Sequence, residues 1–319
     1  MKKILCVLMS CLLFVISGCS GHSKNLKFGA ADIGGVYYSF ASTFTQLADN
    51  EIDGYTFETK TTAGSVANLR LISDGYIDLA IVQADLLSDA YNATGTFADK
   101  KYQKGYKAVA SLYTECCQIV VRKDSGITGI DDLINKTVSV GASESGTEKN
   151  AEQILKMSGI TDELINKVNM DYTEAAEKLK AGEIDAFFCT AGTRTEVIGQ
   201  LSKECDIRLI SLDDKCIDKM LSAYSLCEKY TIPAGTYNGQ DSDVTTIGVK
   251  AVLIAKQSLS DDVIKNVTKT IYEHADDFKY ATSLDISFDI NTAADGVDIP
   301  FHSGAAAYYT ERGINVLTE

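Results

Sequence analysis

The sequence predicts an α/β protein, and three observations carry that prediction. Short runs rich in β-branched and apolar residues alternate with longer stretches whose apolar residues recur at helical spacing. The 24 glycines outnumber the two prolines as punctuation, and several cluster with Ser and Thr where a strand-like run gives way to a helical one. The 319 residues are 45% apolar and 23% charged, enough for two ordinary domains and too evenly mixed for a disordered or fibrous chain.

The N-terminus is a case apart. Lys2 and Lys3 precede an apolar run over 4–16, and Ser17-Gly18-Cys19 follows. The run is too short to span a bilayer comfortably and has the charged start, apolar middle and small-residue exit of a secretory signal. Its end, Val15-Ile16-Ser17-Gly18-Cys19, resembles a bacterial lipobox. The expectation is therefore a lipoprotein signal peptide over 1–18, lipidation at Cys19, and a small polar tether over 19–25.

Downstream, strand-like runs fall at 26–30, 55–60, 79–83, 109–112, 118–122, 137–141, 186–189, 207–210 and 244–254. Helical patterns lie between them, the clearest formed by Leu259, Val263, Ile264, Val267 and Ile271, which share one face. Repeats, low-complexity tracts and Pro/Gly-rich linkers are absent, so a second domain has to be joined by strands that cross directly.

Charge and titratable residues narrow the function. Lys+Arg 30 against Asp+Glu 44 gives a net charge of -14, which repels nucleic acid and anionic membrane surfaces. His22, His274 and His302 show no metal-ligand spacing, and no CxxC occurs, so neither a metal site nor a cofactor is expected. Cys116, Cys117, Cys189, Cys205, Cys216 and Cys227 read mostly as small buried hydrophobes, with a bridge between Cys216 and Cys227, or from either to Cys205, as the alternative. Adjacent Cys116 and Cys117 point to opposite faces of a strand and do not share a ligand.

Three times a strand ends in a Gly/Ser/Thr cluster that opens a helix: Gly34-Gly35-Val36-Tyr37-Tyr38, Thr62-Ala63-Gly64-Ser65-Val66-Ala67-Asn68 and Ser143-Glu144-Ser145-Gly146-Thr147. Glycine admits close approach of a ligand to the backbone, and unpaired N–H groups at a helix start attract negative charge. In open α/β sheets such junctions gather at the carboxyl ends of the strands, where ligands bind.

These clusters, with Gly75-Tyr76-Ile77-Asp78-Leu79-Ala80-Ile81-Val82-Gln83-Ala84-Asp85, Asp131-Asp132-Leu133, Gly182-Glu183-Ile184-Asp185-Ala186-Phe187-Phe188, Ile232-Pro233-Ala234-Gly235-Thr236-Tyr237 and His302-Ser303-Gly304-Ala305-Ala306-Ala307-Tyr308-Tyr309, occur in an order that resembles the TAXI family of TRAP-transporter solute receptors. The resemblance implies a two-lobe periplasmic-binding-protein-like fold with a ligand cleft between the lobes. Lobe one is expected over about 24–115 plus 253–319, and lobe two over 116–252. It further implies a monomeric extracytoplasmic receptor that delivers a small amino acid, such as glutamate, or a dicarboxylate to a membrane permease. An enzyme of the same broad fold acting on a small anionic metabolite is the alternative.

The candidate ligand-binding residues are Gly35, Tyr37, Tyr38, Ser65, Asn68, Gln83, Ser145, Gly146, Thr147 and Thr190. Asp85 reads as a helix cap and His302 as a structural hydrogen-bonding residue. Glu144 and Arg194 are departures from the family pattern. Arg194 reads as a solvated charge on a helix. Glu144 either points to solvent, which suits an anionic ligand, or faces inward and pairs with a ligand ammonium, which suits an amino acid.

Overall fold

The computed structural model describes residues 23–99, 104–282 and 288–319. The leader 1–18, Cys19 and the first part of the tether lie outside the described residues. Lys24 and Asn25, assigned to the tether from sequence, instead begin the first strand and pair with Tyr55 and Thr56.

In chain order the elements are β1 Lys24–Gly29, α1 Val36–Glu51, β2 Tyr55–Lys60, α2 Ser65–Ser73, β3 Leu79–Gln83, α3 Ala84–Asn92, β4 Tyr106–Arg122, β5 Thr137–Ser139, α4 Gly146–Met157, β6 Asn166–Val168, α5 Tyr172–Ala181, β7 Ala186–Ala191, α6 Glu196–Glu204, β8 Ile207–Leu209, α7 Asp214–Ala223, β9 Cys227–Ile232, β10 Val244–Lys256, α8 Asp261–Glu273, α9 Ala275–Thr282 and α10 Ser303–Thr310. The strands run in the order β2-β1-β3-β10-β4-β7-β5-β6, with β8 also on β4 and β9 also on β10.

Two parallel groups flank an antiparallel centre. β1 pairs in parallel with β2 and β3 on one side, and β5 pairs in parallel with β6 and β7 on the other. Between them β10 runs antiparallel to both β3 and β4, and β4 antiparallel to β7. The chain thus forms two α/β lobes on either side of two long strands. Every residue of β3 is buried because helices cover both faces, whereas β9 alternates exposed Glu228 and Lys229 with buried ends.

The expected runs 109–112 and 118–122 belong to one 17-residue strand. Thr114 and Glu115 interrupt the apolar pattern and read as a break, but the backbone stays extended because β10 pairs with it from Tyr106 to Cys116. Register shifts opposite Ala251/Val252 and Leu253/Ile254 leave Leu112 and Val109 of β4 as extra residues, which increases the twist of the pair beside β3. The short polar β6 and the edge strand β9 have no clear strand signal in the sequence.

Side chains of α8 show why its spacing was legible: Val263, Ile264, Val267 and Ile271 are all buried. Phe40 of α1 stacks on Phe278 of α9 at 4.4 Å between ring centroids, which ties the last helices to the first. Cys116 and Cys117 are buried in different clusters, as alternation along a strand requires. All six described cysteines are free thiols, so the alternative of a bridge among Cys205, Cys216 and Cys227 is not realised.

Candidate ligand-binding cleft

A cavity of about 50 Å³ lies where the three helix starts meet. Its wall includes Gly35, Tyr37, Ser65, Gln83, Ser145, Gly146, Thr147 and Thr190 among the sequence-predicted residues. α1 opens at Gly35, α2 follows Gly64, and Ser145 caps α4 by accepting a hydrogen bond from the Glu148 amide at 3.0 Å. The first-turn amides of a helix have no partner inside it, so each start presents N–H groups and positive potential to the cavity.

The two lobes touch here. A Cβ built on Gly146 would meet the Gln83 side chain at 2.4 Å, and one on Gly64 would lie 3.4 Å from the Ser145 Cα. The Ala67 amide donates to the Glu144 carbonyl at 3.0 Å, and Gln83 Nε2 donates to Asn150 Oδ1 at 3.0 Å. Helix starts from opposite sides of the sheet are thereby held at hydrogen-bonding distance, in a closed arrangement.

Two predicted residues stand elsewhere. Asn68 is fully buried, but its amide donates to the carbonyls of Ala30 and Ile81 while its Oδ1 accepts from the Thr62 hydroxyl, so it braces the loops behind the cavity. Tyr38 packs against the main apolar cluster and does not line the cavity, because successive residues of α1 face different directions and Tyr37 takes the inward one.

Glu144 resolves differently from both sequence alternatives. Its backbone is left-handed, with φ 65°, and its carboxylate makes a bidentate pair with Arg70 of α2, at 3.1 Å to Nε and 2.7 Å to Nη2. It neither points free into solvent nor into the cavity. It ties lobe two to lobe one above it. Arg194 is exposed and stands in the turn before α6 with φ 63°, so the helix placement is corrected although its exposure is as expected.

The cavity also contains residues the sequence did not flag. Glu115, 2% exposed at the centre of β4, accepts hydrogen bonds at Oε2 from the Tyr37 hydroxyl at 3.1 Å and from Gln83 Nε2 at 3.2 Å. Burial pushes its carboxyl up to about 8. From the other side, Tyr172 at the start of α5 bonds the Thr147 hydroxyl at 2.6 Å and donates to the Thr190 carbonyl at 3.0 Å. Asp32 and Asp171 complete the rim, and burial together with the nearby Asp171 raises the Asp32 carboxyl. The one signal for Glu115 was an acid inside an otherwise apolar run. Nothing local marks Tyr172, which reaches the cavity only through the fold.

Several polar atoms here are buried without a protein partner: Gln83 Oε1, Thr190 Oγ1 and Asp32 Oδ2. Buried polar groups are ordinarily hydrogen-bonded, so these atoms leave places in the cavity wall for further hydrogen-bond partners. Outside it, His302 caps α10 by accepting from the Gly304 amide at 3.2 Å, the structural role expected. Asp85 is not the cap of α3: Gln83 occupies the cap position, and both Asp85 oxygens are buried without a hydrogen bond. Burial pushes its carboxyl up to about 6.

An open sheet of two parallel flanks around an antiparallel pair, with a polar cavity between the flanks, defines a periplasmic-binding-protein-like fold. The chain belongs to the NMT1-like family, whose model matches residues 28–313. Among solved structures, it is similar to PhnD1 from Prochlorococcus marinus in complex with methylphosphonate, at 12% identity and a TM-score of 0.58, covering 83% of this chain and 93% of that one. It is also similar to a Bordetella bronchiseptica RB50 protein, at 17% identity and a TM-score of 0.54, covering 82% and 76%. A third likeness is to a putative L-cystine ABC transporter protein from Listeria monocytogenes, at 13% identity and a TM-score of 0.52, covering 82% and 94%. Among the described residues no helix is long and apolar enough to cross a membrane.

Proposed function

We propose that the protein is an extracytoplasmic solute receptor, not an enzyme, that encloses a small amino acid or organic acid such as glutamate and delivers it to a membrane permease. The observation that carries this reading is the cavity itself, walled by helix starts from both lobes and lined by the buried, unpartnered Gln83 Oε1 and Thr190 Oγ1. A small volume with unsatisfied polar atoms suits capture of a compact polar solute. The structures it is similar to include proteins titled for transport or for a bound small anion.

The order of motifs along the chain supports a TRAP-type permease of the TAXI kind as the partner. Lobe boundaries near 115/116 and 252/253 fit the passage of β4 and β10 through the centre of the sheet. The lipobox supports anchoring through Cys19, with the folded part outside the cytoplasm as a monomer. Saturable binding of a solute with no turnover, measured by calorimetry and by mass spectrometry of the recovered ligand, tests the receptor reading. Chemical conversion of the bound solute would favour the enzyme alternative. Metabolic lipid labelling that persists in Cys19→Ser would overturn the anchor.

A further inference from the structure

The side chains lining the cavity have an unbalanced charge. Asp32, Glu115 and Asp171 are acids, and no Lys, Arg or His is among the lining residues. Arg70 is engaged outside the cavity with Glu144, and Arg194 is exposed. A ligand with two carboxylates and no cation would therefore find no cationic side chain in the wall, only backbone N–H groups and neutral groups, beside the acids Asp32 and Asp171.

Glu115 is placed to resolve this imbalance. Two hydrogen bonds converge on its Oε2, from Tyr37 and Gln83, and the Tyr113 phenol also bears on the carboxyl, which lies in the cavity wall. Its neighbour Gln83 has Oε1 buried and unpartnered, a second acceptor lacking a donor. Thr190 Oγ1 and Asp32 Oδ2 also lack partners. Of these three unpartnered atoms, Gln83 Oε1 and, when ionised, Asp32 Oδ2 only accept hydrogen bonds, and an ammonium supplies three N–H donors and a positive charge. The helix starts at Gly35, Ser65 and Gly146 remain available for a negative group on the same molecule.

We infer that the ligand carries a protonated amine and that Glu115, with Gln83, is the site that recognises it. The inference rests on the receptor reading and deepens it: the solute is an amino acid or another small amine, not a dicarboxylate or keto acid. It also moves amine recognition from Glu144, which the sequence suggested, to the floor of the cleft.

Recognition of an ammonium requires Glu115 to be ionised, whereas burial keeps its carboxyl protonated in the empty protein near neutral pH. Binding at pH 7 should therefore release a proton to the buffer. Other titratable groups near Glu115 are the phenols of Tyr37, Tyr113 and Tyr172, the thiol of Cys116 and the carboxyl of Asp85, with Asp32 and Asp171 on the cavity wall. The phenols and the thiol stay protonated, being raised by burial, so Asp85 and Asp32 are the groups a control has to separate.

The test is calorimetry on the purified full-length chain, stripped of any bound solute. The probes are the twenty amino acids, putrescine, 2-oxoglutarate, succinate and pyruvate, each measured in two buffers of different ionisation enthalpy. The expected result is binding by at least one amine with proton release at pH 7. Glu115→Gln should weaken that binding by tenfold or more and abolish most of the proton release, with melting checked to show that the variant is folded. Should that variant fail to fold, the panel on the native chain still decides. Binding of acids alone, or of glutamate and 2-oxoglutarate equally and without proton release, overturns the amine inference and leaves the receptor reading standing. No binding by any probe overturns both.

Discussion

A buried carboxyl group held between phenols and an amide has a measurable effect on the empty protein. The ordinary value for Glu115 is 4.5 and the folded value is about 8, so the folded state holds more protons than the unfolded chain between those limits. Stability therefore falls as pH rises from about 4.5 to 8, and Asp85, raised from 3.8 to about 6, adds the same trend lower in the range. We predict that the melting temperature of solute-free protein declines over this window and that Glu115→Gln flattens its upper part, as read by calorimetric melting at constant salt. Single polar contacts are smaller. Ser65→Ala and Thr147→Ala should each cost about 1–3 kcal/mol of ligand affinity, Thr147 because its hydroxyl also bonds Tyr172 and the Thr190 amide. Arg194→Ala should change affinity little, since the side chain is exposed. Calorimetric titration of the three variants checks the ranking, and a dominant Arg194 effect would reverse it.

Among the helices, α4 sets the limit on approach. Its first residue, Gly146, lies so close to Gln83 that a methyl group would overlap the amide. Its backbone φ is not in the left-handed region, so alanine there suits the helix itself. Gly146→Ala should leave the fold intact and weaken ligand binding tenfold or more by wedging the lobes apart, with circular dichroism and titration as the checks. At the far end of α1, Glu51 and Asp277 flank His274, at 2.6 Å and 2.9 Å, and hold its imidazole above the usual value. That tie is present below the ordinary histidine range and is lost as pH rises through the raised value. This element-level organisation also shows what the sequence made legible. Strands with uniform apolar runs and the stripe of α8 were readable because burial on one or both faces imposes a period. β6 and β9 were not, because edge strands carry polar residues and owe their conformation to partners distant in the chain. The helix starts were visible as Gly/Ser/Thr clusters, whereas Glu115 and Tyr172 acquire meaning only once β4 and α5 are brought together.

At the scale of the molecule, the polar ties between the lobes near the cavity include, among the described residues, the Arg70–Glu144 pair, the Ala67–Glu144 backbone bond and the Gln83–Asn150 bond. The ion pair is about 40% exposed on each side chain and contributes at most about 1 kcal/mol, less in salt. We therefore expect closure without solute to be shallow and solute to supply the rest. Small-angle scattering should show the radius of gyration falling when ligand is added to stripped protein, with Glu144→Gln more open than the native chain before ligand and similar after it. An unchanged profile at saturation in both would count against hinged closure. The cavity of about 50 Å³ carries a further consequence. It is small beside the roughly 300–1,000 Å³ of sites that hold drug-sized molecules, and Gly146 lies close against Gln83 at the seam between the lobes. The cleft should then act as a length gauge: a molecule is graded by whether the lobes can close over it, not only by the groups at its head. A dipeptide that begins with the preferred residue should occupy the open cleft, compete for it weakly, and jam the lobes short of the compact shape that a permease would read as loaded.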